Sequence, residues 1–163
     1  MTAIILRPFT AADRDWLVAA HIRIYTSENG FDASFGVLVA QIVDAFLAQH
    51  DRACERGWIA WAGQVRAGSV FCVRHDAQTA KLRLFQLSPQ MRGRGVGRQL
   101  LATCTAFARD AGYAGMQLST HKSHAAACAL YLRNGWQIVA EKPVVSFGQP
   151  LVEQEMALSL RGP

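Results

Sequence analysis

The pattern of apolar positions near the N-terminus predicts a short strand followed by two helices. Residues 3–7 have the composition of a strand, which Pro8 ends. Apolar residues then recur at helical spacing, and the first helix has one face formed by Trp16, Leu17, Ala20 and Ile24. A second amphipathic helix runs from about Phe35 to Gln49, and the turn-rich residues 27–36 predict a loop between the two helices.

The rest of the chain alternates strand-like and helix-like segments. Three apolar segments predict strands over residues 57–63, 66–75 and 80–88. Beyond them we predict helices over residues 96–111 and 123–134, strands over 115–120, 136–142 and 151–160, and a loop over 143–150. Strands outnumber helices and two strand–helix–strand passages occur. The sequence therefore predicts one α+β domain, residues 1–163, with helices on both faces of a sheet.

The charge of the chain limits the classes of ligand. A net charge of +5 and a pI near 9.4 suit either nucleic acid or a small molecule that carries phosphate. Like charges form no blocks, and the helix predicted from residue 96 is mostly apolar and neutral beyond Arg98, so we expect no nucleic-acid partner. The apolar stretches are too short to span a bilayer, and the N-terminus lacks the pattern of a signal peptide. We therefore expect a cytoplasmic protein with no membrane partner.

The cysteines and histidines lack the spacing of a metal site. The four cysteines are far apart, which predicts free and mostly buried thiols at Cys54, Cys72, Cys104 and Cys128. His121 and His124 stand three residues apart, but no further cysteine or histidine lies near enough in sequence to complete a zinc set. The sequence predicts no metal site.

A glycine-rich and arginine-rich turn, QMRGRGVGRQLL over residues 90–101, lies between a predicted strand and a predicted helix. The backbone N–H groups at the start of a helix have no intrahelical partner, and the helix dipole makes them attractive to an anion. Glycine lets the backbone approach that anion, and arginine adds charge-assisted hydrogen bonds. The turn therefore predicts a phosphate site, although it has neither the Walker nor the Rossmann spacing.

Two motifs together resemble the GNAT superfamily of N-acetyltransferases. Arg92, Gly95 and Gly97 match its pyrophosphate signature Arg-x-x-Gly-x-Gly. A second signature, a helix with Ala-x-x-Leu-Tyr that ends before Gly-Phe, corresponds to Ala127, Leu130, Tyr131, Gly135 and Trp136, with Trp in place of Phe. The resemblance covers most of the chain and is closest to the acetyltransferase halves fused to MarR-type regulators. It implies a central, twisted, mostly antiparallel sheet of about six to seven strands.

The resemblance implies acetyl-CoA as the co-substrate and assigns the residues that bind it. The pantetheine arm is expected along the strand that ends at Leu87 and Ser88, between strands that splay apart. The pyrophosphate is expected on Arg92, Gly93, Arg94, Gly95, Val96, Gly97 and Arg98. His124 stands where many relatives have the asparagine that contacts the co-substrate. Tyr131 matches the general acid of the family, which protonates the departing thiolate.

The acceptor implied by the resemblance is a primary amine of a small molecule or a peptide. It is expected to enter between the first two helices and the late strands, where Glu28 and Asp32 could attract a cationic amine and Phe31, Phe35 and Phe147 could form an apolar wall. The strand over residues 80–88 has no acid to act as base. His75, Glu28 and Glu153 are candidate bases, and none is assigned. The resemblance is compatible with a homodimer.

The sequence leaves a second function open. A non-catalytic sensor that binds acyl-CoA would keep the same fold and the same co-substrate site. Only an enzyme releases free CoA when an amine is present, and only an enzyme is slowed by loss of the Tyr131 hydroxyl.

Overall fold

The computed structural model describes residues 3–161 of the chain. They form seven strands and four α-helices in the order β1 Ile4–Pro8, α1 Arg14–Asn29, α2 Ala33–Gln49, β2 Arg56–Ala62, β3 Val65–Arg74, β4 Thr79–Leu87, α3 Val96–Asp110, β5 Gly115–His121, α4 Ala125–Arg133, β6 Gln137–Ser146 and β7 Gln149–Ser159. Short 3-10 turns at Ala11–Asp13 and Pro89–Met91 precede α1 and α3.

All seven strands join one sheet in the order β1-β2-β3-β4-β5-β7-β6. Neighbouring strands are antiparallel except for β4 and β5, which are parallel. The mostly antiparallel α+β sheet implied by the resemblance is therefore confirmed.

Helices cover both faces of the sheet, and each face has its own core. On one face, α3 and α4 bury Leu100, Cys104 and Tyr131 against side chains such as Val70 and Met116. On the other face, α1 and α2 enclose a smaller core composed of Leu17, Val39, Val43, Phe46, Ile59 and Phe71. The four cysteines are buried free thiols, as predicted.

The two parallel strands of the sheet diverge, and this divergence creates the site described below. β4 and β5 pair only where Thr79–Lys81 lies opposite Gly115–Gln117. Beyond Lys81, β4 bends away from β5. Leu84 has a positive φ of 51°, and the register between β4 and β3 shifts between Ser69 and Phe71. The strands splay apart as expected, and a gap opens toward the carboxyl end of β4.

The prediction of a long loop over residues 27–36 was wrong. α1 continues to Asn29, and α2 begins at Ala33. Gly30 ends α1 in the left-handed conformation with a φ of 67°, and the Asp32 side chain accepts a hydrogen bond from Ser34 N at 3.0 Å to cap α2. Turn-forming residues are also helix caps, so the real connection is only three residues long.

The prediction of a loop over residues 143–150 was also wrong. β6 continues to Ser146, and only Phe147 and Gly148 separate it from β7. Pro143 lies opposite Val152 in the ladder. A proline is accepted there because β6 is the outermost strand, where a missing N–H costs no pairing on the open edge.

None of the helices within residues 3–161 combines the length and the apolar composition needed to cross a membrane.

Candidate active site

A cavity of about 1060 Å³ occupies the gap between β4 and β5. The glycine–arginine turn forms one end of it, α4 forms one wall, and α1 and α2 form the other. A cavity of this size accommodates a ligand much larger than an amino acid.

The glycine–arginine turn leaves its backbone open to a ligand. Gly93 and Gly95 each have a φ of 79°, and a Cβ added at either position would meet nothing within 4 Å. α3 begins at Val96, and its first intrahelical hydrogen bond is donated by Gln99 N to Gly95 O at 3.1 Å. The N–H groups of the first turn of α3 thus have no helical acceptor and face the end of the cavity.

Arg92 is held by a carboxylate across the cavity. Its two terminal nitrogens donate to the two oxygens of Glu28, at the end of α1, at 3.0 and 2.8 Å. The Glu28 side chain is therefore engaged with Arg92 rather than presented alone to an amine. Both partners are exposed, so this pair is one that an anionic ligand can compete for.

Tyr131 lies on α4 with its ring inside the core and lines the cavity. The ring packs between Phe85, at a centroid distance of 5.7 Å, and Trp136, at 5.9 Å. Burial, with a smaller effect of nearby Tyr25, raises the pKa of Tyr131 well above its ordinary value. The hydroxyl therefore keeps its proton at neutral pH and is available as a hydrogen-bond and proton donor inside the cavity.

Aromatic and imidazole rings line the side of the cavity next to α1. The centroid of the Tyr25 ring lies 4.6 Å from that of Phe35 and 4.8 Å from that of His124, and both pairs of rings are tilted. Burial lowers the pKa of His124 to about 4, with a smaller effect of His121, so the imidazole is neutral at physiological pH. Its Nε2 atom has no hydrogen-bond partner among residues 3–161.

Two buried polar side chains on the α1 and β4 walls are also without partners. His21 on α1 is 2% exposed and Gln86 on β4 is 4% exposed. His21 Nδ1 lies 2.9 Å from Leu17 O, whereas His21 Nε2 and both amide atoms of Gln86 have no partner within the described part of the chain. Both side chains line the cavity, and the sequence analysis had missed them. The sequence signal for Gln86 was its place between the apolar residues Phe85 and Leu87 at the end of β4.

Most of the site residues proposed from the sequence come together around this cavity. Its lining includes Glu28, Phe35, Leu87, Arg92, Gly93, Gly95, Val96, Gly97, Arg98, His124 and Tyr131. The side chains of three others lie elsewhere: Arg94 is exposed, Ser88 is buried, and Phe31 is buried in the aromatic cluster. Of the candidate bases, His75 is exposed away from the cavity, and Glu153 lies 3.9 Å from Lys142.

Comparison with known proteins identifies the family. The profile described as the acetyltransferase (GNAT) family matches residues 17–136. The chain belongs to the GNAT acetyltransferase family. Among solved structures, this GNAT chain is similar to yncA from Salmonella typhimurium, solved with its cofactor acetyl-CoA, with a TM-score of 0.76, 19% identity and coverage of 99% of this chain and 96% of that one.

Two curated rat proteins are similar to parts of this GNAT chain. N-acetyltransferase 8B from Rattus norvegicus is 35% identical over 85 residues, which is 49% of this chain and 38% of the relative. N-acetyltransferase 8F1 from the same organism is 32% identical over 114 residues, which is 67% of this chain and 50% of the relative. The matches span half or less of the length of those relatives.

The buried neutral His21 predicts a specific dependence of stability on pH. Burial lowers its pKa to about 4 in the folded chain, whereas an unfolded histidine titrates near ~6.5. The unfolded chain therefore takes up a proton first, and His21 contributes stability above pH ~6.5 that is lost as the pH falls toward ~4. Replacing His21 with Gln should reduce the loss of unfolding free energy between pH ~7 and ~5 by about 2 kcal/mol.

Urea denaturation at a series of pH values measures this difference. His75→Gln is the matched control, because His75 is exposed, and its curve should parallel that of the wild type. If the free energy of unfolding falls equally between pH ~7 and ~5 in the wild type and in His21→Gln, the assignment of a neutral His21 is contradicted.

Proposed function

We propose that this GNAT chain transfers the acetyl group of acetyl-CoA to a primary amine of a small molecule or a peptide. The observation that supports this most strongly is the meeting of two features at one cavity. An anion-binding helix start lies at one end, and a strand with unpaired backbone lies along the side. The structural neighbour solved with acetyl-CoA supports the same choice of co-substrate.

The turn at residues 92–98 fits a pyrophosphate. Gly93 and Gly95 leave open space on the cavity side, and the first N–H groups of α3 point at that space. Arg92 and Arg98 line the same end and supply positive charge, whereas Arg94 is exposed and adds to the field from outside. A bound pyrophosphate would compete with the Glu28 carboxylate for Arg92.

The β4 edge fits the amide groups of a pantetheine arm. Among residues 3–161, no strand pairs with the β5 side of β4 beyond Lys81, so the N–H and C=O groups there are available for pairing with an extended chain. Ser88 N already donates to Ala67 O at 2.8 Å. Successive N–H groups of a strand point to opposite edges, so Leu87 N–H points into the gap. We assign to Leu87 N–H the hydrogen bond to the carbonyl oxygen that becomes negative during transfer.

Tyr131 is the proposed general acid. The new C–N bond forms as the neutral amine attacks the thioester carbonyl, the C–S bond then breaks, and the Tyr131 hydroxyl gives its proton to the departing sulfur. Its raised pKa keeps that proton in place until the thiolate forms. β4 carries no acid to act as base, so the nitrogen loses a proton to water after the attack, and a proton from water restores the Tyr131 hydroxyl.

The remaining expectations from the sequence stay predictions. They are the likeness to the acetyltransferase halves of MarR-type fusions, a cytoplasmic location, contacts of Glu28, Phe31 and Phe35 with the acceptor, a contact of His124 with the co-substrate, and a homodimer. A sensor that binds acyl-CoA without turnover is the alternative that the activity measurement below distinguishes.

Removing the Glu28 carboxylate should strengthen co-substrate binding. In Glu28→Gln, the pyrophosphate no longer competes with a bidentate ion pair for Arg92. An exposed pair is worth about 0.2–1 kcal/mol, so the dissociation constant of acetyl-CoA should fall about 1.4- to 5-fold by calorimetry. Asp110→Asn is the control, because it also removes one negative charge but does so at the C-terminal end of α3, away from the glycine–arginine turn. Weaker binding in Glu28→Gln would show that the pair instead positions Arg92 for the ligand.

Loss of the Tyr131 hydroxyl should slow turnover without weakening binding. We expect Tyr131→Phe to lower kcat by about 10²- to 10⁴-fold, measured as thiol release from acetyl-CoA with an amine panel. Tyr113→Phe is a matched control, since Tyr113 is buried and its hydroxyl donates to Cys54 O at 2.9 Å, outside the cavity lining. An unchanged kcat in Tyr131→Phe removes the general-acid role, and no thiol release from the wild type favours the sensor.

A further inference from the structure

We propose that the acceptor of this chain is an amine that also carries a carboxylate, as an amino acid does, and that Arg83 with Lys81 binds this carboxylate. The proposal rests on the proposed acetyl transfer and names the class of acceptor. From the sequence alone, Glu28 and Asp32 were instead candidates to attract a cationic amine.

Arg83 and Lys81 share one face of β4, the face toward α1 and α2. They are two residues apart in a strand, so their side chains point the same way. Ala80 and Leu82, on either side of Lys81, are buried in the core on the α3 face. Both cations line the cavity, on the side from which the proposed acceptor would approach the β4–β5 gap.

The Arg83 guanidinium is half-buried and has no counter-ion. No carboxylate among residues 3–161 forms a salt bridge with it. Burial lowers the pKa of the Arg83 guanidinium. Burial, and to a smaller extent the charge of Arg83, lowers the pKa of Lys81, and the carboxylates of Glu155 and Glu153 offset only part of that lowering. Desolvating an unpaired cation is unfavourable, and a bound anion would compensate for that cost.

The acid expected to attract a cation is already neutralised. Glu28 is occupied by both terminal nitrogens of Arg92. The β4 wall of the cavity thus presents two positive charges, and neither forms a salt bridge with a carboxylate among residues 3–161. Polyamines and other acceptors with several positive charges would meet repulsion there, whereas a carboxylate would be attracted.

A second, independent observation shows that this wall is built for a polar ligand. Gln86, further along β4, and His21, opposite on α1, are buried side chains that line the same cavity and lack hydrogen-bond partners within the described residues. Because His21 Nδ1 faces the carbonyl of Leu17, its proton lies there and Nε2 is left as an acceptor. The wall therefore combines cations for a carboxylate with acceptors for an amine N–H, the two groups that an amino acid presents together.

The test compares matched acceptors that differ only in charge. Thiol release from acetyl-CoA is measured with the free amino acids and with the carboxamides of those that react. We expect kcat/KM to be at least about tenfold higher for the carboxylate than for its carboxamide, because a charge-assisted hydrogen bond of this kind contributes about one to two powers of ten. This comparison needs no variant and is unaffected by folding defects.

Variants then locate the contact. Arg83→Gln should raise KM for the amino acid about 10- to 100-fold and leave the carboxamide unchanged, whereas Arg83→Lys should retain part of the preference. Arg52→Gln, which removes an exposed arginine outside the cavity lining, is the control of equal charge. Equal loss toward both acceptors in Arg83→Gln, or equal or better turnover of carboxamides by the wild type, overturns the proposal.

Failure of the proposed function gives a different result. In that case no amine releases thiol, although acetyl-CoA binds. Calorimetry with the CoA-saturated protein then tests the acceptor site alone, using an amino acid and its carboxamide as probes. Heat that depends on both the carboxylate and Arg83 supports the carboxylate site, and its absence overturns it.

Discussion

The fold depends on one interrupted ladder, in which β4 and β5 pair over three residues and then separate. Unpaired backbone groups are costly where water is excluded, so a sheet opens in its middle only if something else fills the opening. Here the positive φ of Leu84 turns β4 away from β5, and the two helical layers on opposite faces hold the diverging strands in place. The cavity is thus a property of the sheet itself.

The charges around the cavity fall into two separate groups. At the mouth of α3, arginines and helix-start N–H groups form a field suited to a diphosphate. On the inner wall, Lys81 and Arg83 form a second positive region with its own buried polar neighbours. The Glu28–Arg92 pair links the first group to the α1 wall.

The turn at residues 90–101 could be predicted from the sequence because the residues that define it are neighbours along the chain. Strand, glycines, arginines and helix follow one another along the chain, and the structure keeps that order. The order of strands was not predicted, because β7 inserts between β5 and β6 and no local pattern along the chain indicates this. The two wrong loops arose because glycine, aspartate and proline act as helix caps and edge-strand residues as well as turn formers.

The acceptor wall could not be predicted for the opposite reason. His21, Arg83 and Gln86 are brought to one surface only when α1 packs across β4, and each alone looks like an ordinary helix or strand residue. Their unpaired state is a property of three-dimensional packing. No periodicity or motif encodes it, and the interruption of β4 that aligns them depends on one backbone angle.

The central claim is that the glycine–arginine turn binds a diphosphate while the open β4 edge binds the amide arm. Isothermal titration of this protein with acetyl-CoA and with S-acetylpantetheine, which has the same thioester and amides but no diphosphate, tests it directly. The account predicts saturable binding of acetyl-CoA and an affinity at least about 100-fold lower for S-acetylpantetheine. Equal affinities, or no binding of acetyl-CoA, would contradict it.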